Sequence, residues 1–148
     1  DLETFERWNM LNPPDFTYIG TYTDEDGNTT GYDVTEYTGT YYNTVDAPLD
    51  SVYFVDGYAT SYPREDMARI FEYIFFSEKT PLPDYFNSVN LRLKSAYLCA
   101  CIREAFDCME GFEACWEESL DDTYTLEYFK ESYDLEAYYE SLYSEAMG

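Results

Sequence analysis

Histidine is absent from all 148 residues, and only eight lysines and arginines stand against 31 aspartates and glutamates. Without an imidazole the chain has no side chain that titrates near neutrality in its unperturbed state, and it lacks the commonest metal ligand. The formal charge of −23 repels phosphate backbones and anionic head groups, so nucleic acid and membrane surfaces are poor partners for it. No run of 18 apolar residues occurs, which leaves nothing able to span a bilayer as a helix. The chain opens at Asp1 with no initiator Met and no signal-like segment, and so reads as a piece of something longer.

Cysteine is scarce and clustered, with Cys99, Cys101, Cys108 and Cys115 falling within 17 residues and forming no C-x-x-C pair. Cys101, Cys108 and Cys115 recur every seven residues, the spacing of one helix face. Positions seven apart on an unbroken helix lie about 10.5 Å from each other, too far for a bridge. On such a helix these are free thiols; if the glycine of "CMEGFEAC" ends the helix, Cys115 can fold back toward Cys108 and pair with it. A zinc cluster built from these cysteines is disfavoured.

What the chain has in quantity is aromatic surface, with 18 Tyr, 10 Phe and 2 Trp in a composition that is 45% hydrophobic. That exceeds what an acidic disordered tail carries, and predicts a folded, mainly α (α+β) chain of one domain's size. "DLETFERWNMLNPPDFTYIG" reads as a helix stopped at Asn12-Pro13-Pro14, with Leu2, Phe5, Trp8 and Leu11 on one face. Residues 16–56 are rich in Thr and Tyr with turn signals between, which predicts short strands or an extended section. Within it, "TDEDGNTTG" puts Asp24, Asp26 and Asn28 at alternate positions like the start of a calcium loop, but Thr29 and Thr35 stand where such a loop needs Gly and Glu. A solvated hairpin tip is the better reading.

Residues 63–77 carry the clearest helix signal. Pro63 suits a first helical position, and Met67, Ile70, Phe71, Ile74 and Phe75 fall on one stripe, with Glu65, Arg69 and Glu72 roughly opposite. A second long helix follows over "NSVNLRLKSAYLCACIREAFDCM", offering Leu91, Leu93, Ala96, Leu98, Ile102 and Phe106 to a core. Past residue 120 an acidic tail suggests two short helices packed through aromatic faces: Leu126, Phe129, Tyr133 and Leu135, then Tyr138, Tyr139, Leu142 and Tyr143. The division is thus residues 1–120 and a tail of 121–148 packed on them.

Read alone, Glu65 is a first-turn acid that complements the helix dipole and pairs with Arg69 one turn on, and Tyr58 is one tyrosine among many. The wider stretch "FVDGYATSYPREDMARIFEYIFF" resembles the third-ligand segment of gluzincin-type zinc metallopeptidases, among them bacterial zinc-binding peptidases and the peptidase domain of anthrax lethal factor. In those a Tyr precedes, by seven residues, the Glu that opens a helix of the form E-D/F-F-A-E-x-F. Tyr58 and Glu65 keep that separation, and Asp66, Met67, Ala68 and Phe71 follow the helix pattern. "RWNMLNPPDFTYIG" is similar to a W-x-x-L-N-P-x-x-F-x-Y stretch found in some of the bacterial proteins. The similarity runs over about residues 1–108 and gives the acidic tail no support.

The resemblance implies a C-terminal, helical bundle-like peptidase subdomain in which Glu65 is a zinc ligand and Tyr58 stabilises the oxyanion. An N-terminal segment bearing HExxH would supply two imidazoles and the general base, with a peptide or protein as substrate. It also implies a bacterial, extracellular or cell-surface protein with a lipoprotein-like parent. Three protein ligands are the norm in a catalytic zinc site, so this chain alone is expected to hold no zinc and to be inactive. Arg69 stands where the family has an acid, and it either pairs with Glu65 or marks a pseudo-enzyme. The competing reading is an acidic, Tyr-rich secreted binding module that meets a carbohydrate or protein through exposed rings.

Overall fold

The computed structural model describes residues 1–14, 16–18, 20, 22–23, 25–27, 29–30, 47–106, 110–118, 120–121 and 123–148. Among the described residues five α-helices carry the architecture: α1 Leu2–Met10, α2 Pro63–Phe75, α3 Val89–Ala105, α4 Leu126–Ser132 and α5 Leu135–Met147. The described β-structure is a two-stranded antiparallel hairpin, β1 Tyr22–Thr23 against β2 Thr29–Thr30, with Tyr22 opposite Thr30. The fold is mainly helical with a small β section inside residues 16–56, as the composition predicts. Asp24, Asn28, Thr35 and Cys108 lie outside the described residues, and so do their calcium-loop and bridge readings.

Local chemistry sets the helix ends. The Asp1 carboxylate accepts from Thr4 N at 2.9 Å to start α1. Pro63 occupies the first turn of α2 behind an extended Tyr62, where its missing N–H costs nothing. Ser88 caps α3 by accepting from Asn90 N, Thr125 caps α4, and Asp134 caps α5 through Glu136 N and Ala137 N.

α2 and α3 pack together and α1 crosses both. Trp8, Phe54, Ile70, Ile74, Leu91, Tyr97 and Phe129 are buried in one continuous core, so α4 contributes to the same interior as α1 to α3. The Trp8 and Tyr97 rings stack at 6.2 Å, and Tyr97 passes the contact on to Phe129 at 4.9 Å. Met67 and Phe71 lie half-buried against this core, which makes the predicted stripe of α2 its inner face as far as Ile74, whereas Phe75 at the helix end is 43% exposed.

Several sequence expectations fail at the edges. Leu2 is 76% exposed, because α1 turns its first residue outward and enters the core only from Trp8. Helix α3 stops at Ala105 and Phe106 is extended and 56% exposed, not a core residue. The reason is tertiary: Arg103 in the last turn donates from Nη2 to Phe112 O at 2.7 Å and pairs with Glu117, drawing the chain back on itself. Cys101 on α3 and Cys115 in a later 3₁₀ turn therefore do not share one helix, and Cys99, Cys101 and Cys115 are free thiols. No residue of α5 is buried, so only the first of the two tail helices packs as an inner element.

Candidate functional site

Consecutive residues of a helix point about 100° apart. At the start of α2 this separates two acids: Asp66 is wholly buried while Glu65 remains half-exposed. Asp66 is the better anchored. Its Oδ2 accepts from Lys94 Nζ at 2.7 Å, Tyr18 OH at 2.8 Å and Trp8 Nε1 at 2.9 Å. Four segments of the chain thus meet at one oxygen: α1, the run after it that carries Tyr18, α2 and α3.

Lys94 is as deeply buried as its partner. Besides Asp66 it donates to Tyr53 O at 2.9 Å, and its ammonium sits 3.8 Å from the Phe54 ring centroid and 5.5 Å from that of Trp8. The aromatic faces supply negative potential that carbonyls would otherwise have to provide. Burial pushes the Asp66 carboxyl up and the Lys94 ammonium down; each partner's charge opposes the other's shift. Three short donors on Oδ2 favour the ionised pair. Asp66 Oδ1 is buried without a partner among the described residues, which adds to the desolvation cost of holding the pair.

The consequence for Glu65 is geometric. With its neighbour locked inward on Lys94, α2 cannot rotate about its axis without breaking a buried ion pair, so the direction offered to Glu65 is fixed.

Tyr58 lies in the 3₁₀ turn Tyr58–Thr60 that packs on α2, and is 47% exposed. Asp56 secures that turn from both sides: Oδ1 accepts from Ala59 N at 3.0 Å, while Oδ2 accepts from Arg69 Nε at 2.9 Å and Nη2 at 2.6 Å. Arg69 also pairs with Glu72. The expected Glu65–Arg69 pair is therefore replaced, because a carboxylate on the turn and another one helical turn onward together take the guanidinium. Glu65 makes no ion pair or hydrogen bond among the described residues. Gly20, at φ +70°, lets the N-terminal run donate from its N–H to Ser61 O at 2.8 Å and hold the loop just ahead of α2.

Tyr58 and Glu65 thus occupy adjoining elements, a turn and the helix it packs on, tied by Asp56 and Arg69. The donor set does not by itself fit zinc: no three His, Cys, Asp or Glu gather as ligands among the described residues, and the sequence contains no His. Comparison with protein-family models, curated proteins and solved structures found no match to this chain.

Sequence reasoning missed Asp66 and Lys94. A signal was present for Lys94, a cation with Leu91, Tyr97 and Leu98 at helical spacing around it. Asp66 gave less, since an acid in the first turn of a helix already has a sufficient reason to be there.

Proposed function

We propose that this chain is the carboxylate-bearing, C-terminal part of an extracellular zinc metallopeptidase, with Glu65 as the ligand it contributes and Tyr58 as its hydroxyl donor. The imidazole ligands and the general base would come from an HExxH segment outside these 148 residues. One observation supports the reading above the rest. Among the described residues Glu65 has no ion-pair or hydrogen-bond partner, on a helix whose rotation is fixed by the buried Asp66–Lys94 pair, while the cation one turn away is held by Asp56 and Glu72. A first-turn acid present only for helix stability has no need of such an arrangement, whereas a ligand that must meet a metal brought by another segment does.

On this reading the chain alone is inactive. Its own residues hold the carboxylate in place, keep Arg69 from neutralising it, and fix the Tyr58 turn on the same helix. The metal, once held between the two segments, would supply Lewis acidity toward the peptide carbonyl.

The experiment is elemental analysis of the longer protein. The wild type should carry one zinc per chain and Glu65→Ala should lose most of it. Tyr58→Phe should keep its zinc and lose about 10- to 1000-fold in peptide hydrolysis, the range for one lost oxyanion donor. Unchanged zinc in Glu65→Ala would remove the assignment at its central residue.

A further inference from the structure

A groove of about 760 Å³ runs between the N-terminal segment and α5. Tyr133, Tyr138, Tyr139 and Leu142 line one side, and Pro13 and Tyr18 belong to the other. Its volume falls in the range of ligand-binding clefts. The α5 wall is an unsatisfied surface: Tyr138, Tyr139 and Leu142 are each more than 40% exposed although they sit at neighbouring positions of one helix. Aromatic and aliphatic side chains gathered on one stripe and left half in water mark a surface meant to be covered.

Charge selects what covers it. Glu6 lies within the groove. A second hollow of about 580 Å³ continues past Tyr139 and is lined by Glu3, Asp134, Glu136 and Glu140 against one cation, Arg7, which is already paired with Glu3. The contact between Glu6 and Tyr139, which pushes that phenol up, shows the acid and the ring sharing one space. A second copy of the chain carries another −23 overall and would set the same acids against these, so self-association is opposed. An anionic surface is opposed for the same reason. Tyrosine rings flanked by carboxylates are the natural receptors of guanidinium and ammonium groups, through ring faces and charge-assisted hydrogen bonds together.

We propose that the α1/α5 groove binds a basic peptide segment, with arginine or lysine side chains lying over Tyr138 and Tyr139 and reaching Glu6 within the groove and Glu136 and Glu140 in the hollow beyond Tyr139. Acids spread over two adjoining hollows that share Tyr139 match several cations on one backbone better than a single small cation. The inference uses none of the zinc chemistry and stands or falls separately from it.

Calorimetric titration of the 148-residue chain with a blocked pentapeptide alternating arginine and leucine tests it. Micromolar binding is expected, with at least about tenfold weaker binding for the counterpart carrying glutamine in place of arginine. The double variant Tyr138→Ala/Leu142→Ala keeps the net charge and removes no buried side chain, so circular dichroism should report an unchanged fold while the peptide binds at least about tenfold more weakly. Equal binding by that variant would show only diffuse attraction of a cation to an acidic protein and would overturn the proposal. Equal affinity for the glutamine peptide, or for tetramethylammonium alone, would overturn it as well.

Discussion

Asp66 and Lys94 place opposite full charges where neither would sit alone. Removing one partner leaves an uncompensated buried charge, while removing both leaves a shape that apolar atoms can fill. Lys94→Met and Asp66→Asn should therefore each destabilise the chain by about 3–5 kcal/mol, and the double variant should recover most of that loss. Urea unfolding of the four proteins, read as a double-mutant cycle, checks this; additive losses would mean that the two groups do not form the pair described. Cys99 gives a second residue-scale prediction. Burial pushes its thiol up from 9.0 to about 12. A pKa raised in the folded state contributes stability that is complete below the ordinary value and is lost as pH rises through the folded one. The Cys99 contribution should therefore fade between pH 9.0 and about 12. Iodoacetamide at pH 8, counted by mass spectrometry, should leave Cys99 unmodified until the chain unfolds.

The helices differ in how much of the fold they carry. Phe129 brings α4 into the core against Tyr97, and Phe129→Ala should cost about 3–5 kcal/mol. No residue of α5 is fully buried, and ending the chain at Tyr133 should cost less than about 1 kcal/mol while abolishing peptide binding in the groove. Thermal unfolding of both variants separates these roles; a large loss on truncation would mean that α5 is structural. At this scale the sequence was readable wherever backbone chemistry speaks locally. Pro63 fixed the start of α2, Asn12-Pro13-Pro14 the stop after α1, and the apolar stripe of α2 its inner face. It was unreadable where a distant partner outcompetes a local one. Arg69 chose Asp56, 13 residues back, over Glu65 four residues away. The end of α3 was set by Glu117 and Phe112 O, with no Pro or Gly at Phe106 to announce it. Of the candidate site, the motif named Glu65 and Tyr58, but the pair that aims α2 joins positions 66 and 94, a separation that no periodicity encodes.

At the scale of the whole molecule, a net charge of −23 means that the folded chain is compact against its own repulsion. Raising the ionic strength from about 0.01 to 0.15 M shortens the screening length from about 30 to 8 Å and should raise the melting temperature. A melting temperature that falls with salt would indicate that attractive pairs such as Arg103–Glu117 outweigh the repulsion. The same charge has a functional side, since it opposes approach to anionic surfaces and gives the aromatic groove a sign. These properties frame the central claim, that position 65 meets a metal whose other ligands lie in another segment of the protein. X-ray absorption at the zinc edge of the longer protein carrying Glu65→Cys tests it most directly. If position 65 lies in the coordination sphere, a sulfur scatterer should appear at about 2.3 Å, distinct from nitrogen and oxygen ligands at about 2.0–2.2 Å. Full zinc occupancy with an unchanged shell of nitrogen and oxygen would contradict the account.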